Sequence, residues 1–318
     1  MPVAAGMATA IVATAFGGPE VLASVETEVP PPGAHEVTVR IRAAAINPID
    51  YKLYSGAFGA DPSQLPKRVG LEAAGVVTAV GDDATAAVGD EVIVYGAGAA
   101  GLFATEVTVP DAALTPKPAG LGWEPAAGLL LAGVTAVHTL EAAGVKDGDT
   151  VLVHGAAGSV GLLAAQLAVA RGARVIGTAA PSRHDALRGY GIEPVAYGDG
   201  LAERVRALAP DGVSAAIDTV GTDEAVDVSL EVVADRSRIA TIAAFGRAGE
   251  AGIKALGGGP GADPGTELRA QARAELARLA GEGKVEVVVA RTYPLAETAD
   301  AMAFVAEGHA GGKVVLLP

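Results

Sequence analysis

Three glycines stand three residues apart, at Gly155, Gly158 and Gly161, directly after the apolar run Val151-Leu152-Val153 and His154. Glycines in such a turn permit a tight reversal, close approach of the backbone to a diphosphate, and close packing of helix on strand. Ser159, Val160 and Gly161 then present their N–H groups at the start of the next helix. Those groups lack internal partners and carry the positive end of the helix dipole, which suits phosphate. The positioning elements are legible around them. Residues 151–153 read as a buried parallel strand, 162–170 as a helix ended by Gly172, and 174–178 as a second parallel strand. The spacing is Gly-x-x-Gly-x-x-Gly, and its force comes from lying inside a complete βαβ unit.

The end of the second strand bears on which dinucleotide fits. A carboxylate there binds the ribose hydroxyl of NAD, but this chain has Thr178-Ala179-Ala180 and then Ser182, Arg183 and His184. A hydroxyl and a guanidinium suit a 2′-phosphate, since arginine grips phosphate with a charged fork. NADP(H) is therefore expected, the bland alternative being an exposed loop arginine.

A second constellation is Asn47-Pro48-Ile49-Asp50-Tyr51-Lys52-Leu53-Tyr54-Ser55-Gly56. Asn47 fits an N-cap, Pro48 the first helical position, Asp50 the first turn, and Gly56 the stop. Helical spacing puts Asn47, Tyr51 and Tyr54 on one face. That face either faces substrate or is a capped turn with two half-buried tyrosines.

Composition narrows the classes. The 318 residues are 50% hydrophobic and 19% charged, enough for two domains with substantial cores. A formal charge of −14 opposes nucleic acid as a partner. The chain has no cysteine, which removes disulfides and thiolate metal sites, and its five histidines show no ligand spacing. No metal site is expected. The first ten residues lack the pattern of a signal peptide, and no apolar run approaches the roughly 18 residues of a membrane span. A soluble cytoplasmic protein is expected.

Residues 1–120 show short β-branched runs separated by Gly and Pro, at 8–14, 36–43, 75–80, 90–94 and 104–109, as in a partly open barrel. A helical pattern covers 125–141. Beyond residue 178 strands and helices alternate: helices at 185–190, 201–209 and 223–232, strands at 194–197, 215–221 and 238–243, and an edge strand at 253–256. This argues for a doubly wound parallel sheet with ligands at the carboxyl ends of its strands, among them Thr178, Asp218 to Gly221, and Ala243 to Gly246. Residues 257–265, rich in Gly and Pro, read as a mobile lid or a solvated linker. A helix at 266–282, a strand at 285–290, a helix at 295–307 and a strand at 313–317 complete the chain.

Taken together, these motifs resemble the zinc-free quinone oxidoreductase branch of the medium-chain dehydrogenase/reductase superfamily. The similar segments are Ala15-Phe16-Gly17-Gly18-Pro19-Glu20-Val21-Leu22, Asn47 to Lys52, Gly70-Leu71-Glu72-Ala73-Ala74-Gly75-Val76-Val77, Val88-Gly89-Asp90-Glu91-Val92, Ala132-Gly133-Val134-Thr135-Ala136, the glycine loop, and Gly312-Lys313-Val314-Val315. The resemblance implies an α/β fold with a GroES-like β-rich domain (1–122 and 259–318) and a Rossmann domain (123–258). It implies an active site in the cleft between them and a homodimer through the edge strand. It places Asn47 near the nicotinamide and substrate, with Tyr51, Lys52 and Tyr54 as candidate donors. It also places Thr135 at the nicotinamide ribose, and strand-end positions Val220 and Ala244 near the ring. Zinc relatives carry His where this chain has Leu71. The implied reaction is metal-free hydride transfer from NADPH to a quinone or an α,β-unsaturated carbonyl, which needs orientation and donors for a developing oxyanion.

An enoyl-thioester reductase of the same superfamily is the alternative, although Phe58 stands where such enzymes usually carry a tyrosine donor. From another class comes a serine hydrolase built on Ser159, Asp218 and His309, since Ala157-Gly158-Ser159-Val160-Gly161 is one residue from a nucleophile elbow. A nucleotide-binding protein without catalysis is the remaining alternative.

Overall fold

Short β-branched stretches separated by Gly and Pro account for the first part of this computed structural model, which describes residues 6–308 and 310–318. Its elements are β1 (Gly6–Ala13), β2 (Leu22–Val29), β3 (Glu36–Ile46), α1 (Pro48–Tyr54), β4 (Lys67–Arg68), β5 (Glu72–Val80), β6 (Glu91–Tyr95), β7 (Glu106–Pro110) and β8 (Leu114–Pro116). Next come α2 (Trp123–Ala127), α3 (Leu130–Ala142), β9 (Thr150–His154), α4 (Ser159–Ala170), β10 (Arg174–Thr178), α5 (His184–Gly189), β11 (Glu193–Val195), α6 (Leu201–Leu208) and β12 (Ala215–Asp218). The remainder is α7 (Asp223–Val232), β13 (Ile239–Thr241), α8 (Phe245–Ala251), β14 (Lys254–Ala255), α9 (Thr266–Gly281), β15 (Val289–Pro294), α10 (Thr298–Ala306) and β16 (Lys313–Leu317).

Two compact units result: residues up to Leu131 with Val287–Pro318, and Ala132–Glu286. The first unit holds a three-stranded sheet, β2-β1-β4, and a seven-stranded sheet in the order β15-β16-β3-β5-β6-β8 with β7 also on β3. Most pairings are antiparallel, and inward-facing Val37, Val39, Ile41, Val92, Val94, Val107, Val109 and Leu316 share one core. The chain's return matters most. β16 pairs with β3 (Val314 opposite Ile46), and β3 pairs with β5 (Ala44 opposite Ala73). The residues just beyond those pairs, Lys313, Asn47 and Glu72, are thereby brought to neighbouring strand ends.

The second unit is a six-stranded sheet in the order β11-β10-β9-β12-β13-β14, parallel throughout. Read in chain order this is 3-2-1-4-5-6, with the strand order reversing beside β9. Leu152, Ile176, Val205, Ala216, Val226 and Ile239 belong to its core.

Several expectations meet a different arrangement. β2 is a full strand in an alternating sequence (Ser24, Glu26 and Glu28 between less polar residues), and α8 forms despite two glycines in seven residues. Residues 257–265 fold back rather than hang free. Gly257 N–H donates to Asp263 O at 2.8 Å, Asp263 N–H to Ala255 O at 2.9 Å, and Gly265 N–H to the Asp263 carboxylate at 2.9 Å. His138 Nε2 lies 3.3 Å from the other oxygen of that carboxylate. The chain between this segment and residue 286 stays with the second unit, where the sequence reading has 259 as the point of return. Gln166 exchanges two hydrogen bonds with the Glu286 backbone, at 3.0 and 2.8 Å, and Leu276 of α9 fills the space over Gly133.

Candidate functional site

In the second unit β9 ends on His154, and Gly155 turns the chain with φ +74°. A Cβ there would meet Thr219 Oγ1 and Val220 Cγ2, both at 2.7 Å. Gly155 N–H donates to Thr178 Oγ1 at 3.0 Å, and Ala156 N–H to Thr178 O at 3.0 Å, so the end of β10 braces the loop. Thr178 is thus buried with its hydroxyl spent on the glycine turn. At Gly161 a Cβ would lie 2.2 Å from Gly155 O, a backbone-on-backbone contact only glycine allows. Gly158 differs, being exposed, and a Cβ on it would meet only Gly155 O at 3.4 Å.

Gly158 caps α4 by position. No side chain accepts from the first turn, which also holds no acidic residue. The first bond of the helix runs from Leu162 N–H to Gly158 O at 2.8 Å, so Ser159, Val160 and Gly161 N–H groups have no helical acceptor. An uncapped, uncharged helix start with a glycine in front of it fits a diphosphate.

The neighbouring strand ends are locked by side chains. Asp218, fully buried, accepts from Val220 N–H and Gly221 N–H through Oδ1 (2.9 Å each) and from Thr241 Oγ1 through Oδ2 (2.7 Å). Thr241 Oγ1 in turn accepts from Ala244 N–H at 2.9 Å. Val220 and Ala244 are therefore held on one braced rim, Val220 exposed and Ala244 buried. Thr135 is buried on α3. Ser182 and Arg183 lie exposed on the turn directly after β10, and Arg183 makes no ion pair among the described residues. The hydrolase alternative needs Asp218 to orient a histidine, yet both its oxygens serve the strand ends. His309 lies outside the described residues.

In the first unit, Asn47 occupies the N-cap position of α1, and its N–H donates to Asp50 Oδ2 at 2.7 Å. Its side chain, which takes part in the capping box with Asp50, also reaches past the helix. Asn47 Nδ2 donates to Glu72 Oε1 at 2.9 Å, and Lys313 Nζ donates to Asn47 Oδ1 and to Glu72 Oε1 at 2.6 Å each. Glu72 Oε2 accepts the Leu131 N–H at 2.8 Å. All three side chains are buried. Asp50 Oδ1 and the Tyr54 hydroxyl are buried without a hydrogen-bond partner. Burial raises the Asp50 carboxyl to about 7 and the Tyr54 phenol to about 12. Tyr51 is half-buried and Lys52 exposed. Glu72 and Lys313 had no role in the sequence reading. Their signal in the sequence is a charge heading each of two largely apolar strands.

These residues do not fit a zinc ion. The chain has no cysteine, and among the described residues no three His, Asp or Glu side chains group as ligands. The one carboxylate beside Leu71 already faces an ammonium.

A six-stranded parallel sheet of this order with a glycine turn after its first strand, in one chain with a β-rich unit, is the combination of a Rossmann domain with a GroES-like domain. Residues 33–119 match the alcohol dehydrogenase GroES-like domain, and 191–316 match the zinc-binding dehydrogenase family. The quinone oxidoreductase of Pseudomonas aeruginosa is 35% identical, over 98% of this chain and all of its own. The Escherichia coli quinone oxidoreductase complexed with NADPH superposes with a TM-score of 0.85 at 28% identity, over 98% of this chain and 100% of that one. An NAD-dependent alcohol dehydrogenase superposes at 0.86 with 31% identity, over 98% and 99%. The chain belongs to the quinone oxidoreductase branch of the medium-chain dehydrogenase/reductase superfamily. No helix among the described residues is long and apolar enough to cross a membrane.

Proposed function

We propose that this chain transfers hydride from NADPH to a quinone or an α,β-unsaturated carbonyl without a metal ion. The observation that carries the reading is the free amide end of α4 behind Gly158, a seat for the cofactor diphosphate. Ser182 and Arg183 then take the 2′-phosphate, and Thr135, Val220 and Ala244 line the nicotinamide end. When bound, the reduced nicotinamide supplies the hydride. The residues of α1 serve the acceptor. Asn47 orients it, and Tyr51 and Lys52 are the accessible donors for a developing oxyanion. Tyr54, with its hydroxyl sealed in the core, supports α1 from below. The poor zinc donor set supports the metal-free form of the reading. Pairing of β14 edges into a homodimer belongs to it as well, since β14 ends its sheet.

The test is consumption of NADPH and NADH across a panel of quinones, alkenals and enoyl thioesters. We expect NADPH to be preferred, quinones or alkenals to outrun thioesters, and chelators to have no effect. Arg183→Ala should narrow the cofactor preference by roughly tenfold or more, the scale of one charged hydrogen bond to phosphate. Equal use of both cofactors by the unmodified protein overturns the assignment of Ser182 and Arg183.

A further inference from the structure

Lys313, Glu72 and Asn47 close a ring of three hydrogen bonds: Lys313 Nζ to Glu72 Oε1 and to Asn47 Oδ1 at 2.6 Å, and Asn47 Nδ2 to Glu72 Oε1 at 2.9 Å. The ring fixes which way the carboxamide points. Turning it over would set an NH2 group against an ammonium and an oxygen against a carboxylate. The fixed end is also the polarised one, because an ammonium on Oδ1 draws charge from the amide nitrogen. Of the two Nδ2 hydrogens, one is held by Glu72 at 2.9 Å, while the other has a long contact to Ala45 O at 3.4 Å and lies on the side of the Asp50 carboxyl. That second hydrogen is the least engaged of the set.

Burying an ion pair contributes little to stability by itself, and apolar replacements of similar volume often serve as well. Here three strand ends, of β3, β5 and β16, deliver one member each, and Gly128 leaves room for the Lys313 stem, where a Cβ would lie 2.8 Å from Lys313 Cγ. So specific an arrangement calls for a task that apolar residues cannot perform.

We propose that Glu72 and Lys313 are positioning residues for Asn47, holding its carboxamide so that one Nδ2 hydrogen is kept for the acceptor oxygen during hydride transfer. The inference rests on the reading above, in which Asn47 orients the acceptor. Glu72 and Lys313 touch neither substrate nor cofactor and act through Asn47 alone.

Lys313→Met by itself strands a buried carboxylate, so the test uses the neutral pair Lys313→Met with Glu72→Gln in the full chain. Thermal melting checks folding, isothermal titration measures NADPH affinity, and steady-state kinetics gives kcat and KM. We expect a folded protein with NADPH affinity within about twofold of the unmodified chain and kcat lowered roughly a hundredfold, the scale of a misplaced reacting group. Asn47→Ala should lower kcat by a similar factor, and adding it to the neutral pair should cost no further factor. Independent losses that multiply, or a folded neutral pair with unchanged kcat, overturn the proposal. If the neutral pair does not fold, Asn47→Asp gives the decision: reversing the demand on Lys313 and Glu72 should lower kcat with NADPH affinity kept, and unchanged kcat there also overturns it. An unmodified protein that oxidises NADPH with no acceptor defeats the functional reading itself, and this inference with it.

Discussion

The amide end of α4 and the ring around Lys313 both gather polar groups, one with backbone at an accessible helix start and the other with buried side chains. At α4 the groups are neutral N–H donors left over by the helix, and glycines keep the space in front of them clear. At Lys313 an ammonium and a carboxylate neutralise each other across 241 residues of sequence. A backbone seat needs only that nothing intrude on it. The ring needs every member present, because each one satisfies another.

The largest break in that comparison should come from Lys313→Met alone, which leaves Glu72 charged and buried. A loss of about 3–5 kcal/mol is expected by urea denaturation, with most of it recovered on adding Glu72→Gln. A loss no greater than a surface substitution gives would show that the pair is not desolvated as described.

Acid should separate the two units next. Burial of His154 beside β12 holds its imidazole down at about 4, against 6.5 in an unfolded chain. Between those values the unfolded chain binds a proton that the folded one refuses, so the second unit loses up to about 3 kcal/mol as pH falls. Asp50 has the opposite sign. Its carboxyl is raised from 3.8 to about 7, so its contribution is full below 3.8 and lost as pH rises through 7. Hydrogen exchange at pH 5 and pH 7 should show β9 and β12 opening more readily in acid and α1 less readily. Both units moving in the same direction would contradict the assignment.

The glycines sharpen the contrast on a smaller scale. Gly161→Ala forces a Cβ onto the Gly155 carbonyl and should cost about 1–3 kcal/mol of stability along with NADPH binding. Gly158→Ala meets only an ordinary contact, so folding should be spared while NADPH affinity falls about tenfold, or roughly 1.4 kcal/mol. Calorimetry of the two variants side by side reads both. Equal thermal losses would mean that Gly158 is structural too.

The same division governs what the sequence reveals. Glycine spacing, an apolar strand and a helical run sit within one stretch, so α4, β10 and the parallel sheet were legible, and β16 and α7 fell where their patterns placed them. β2 escaped because its alternation mixes Ser and Glu with small residues and gains meaning only from pairing with β1. β15 runs later than its most apolar stretch because its register is set by β16. The Gly-Pro segment at 257–265 looked unstructured since its fastening, through Asp263 to His138, spans 125 residues. Asn47 was legible as a cap but not as a member of the ring. Partners from the far end of the chain leave no local trace.

The hydrogen bond from Leu131 to Glu72 reaches beyond the ring. One oxygen of that carboxylate answers an ammonium and an amide, while the other accepts from the opening turn of α3. Mutational drift at position 72 is therefore confined. Asparagine or aspartate is too short for both duties, and glutamine keeps the reach but not the charge that answers Lys313.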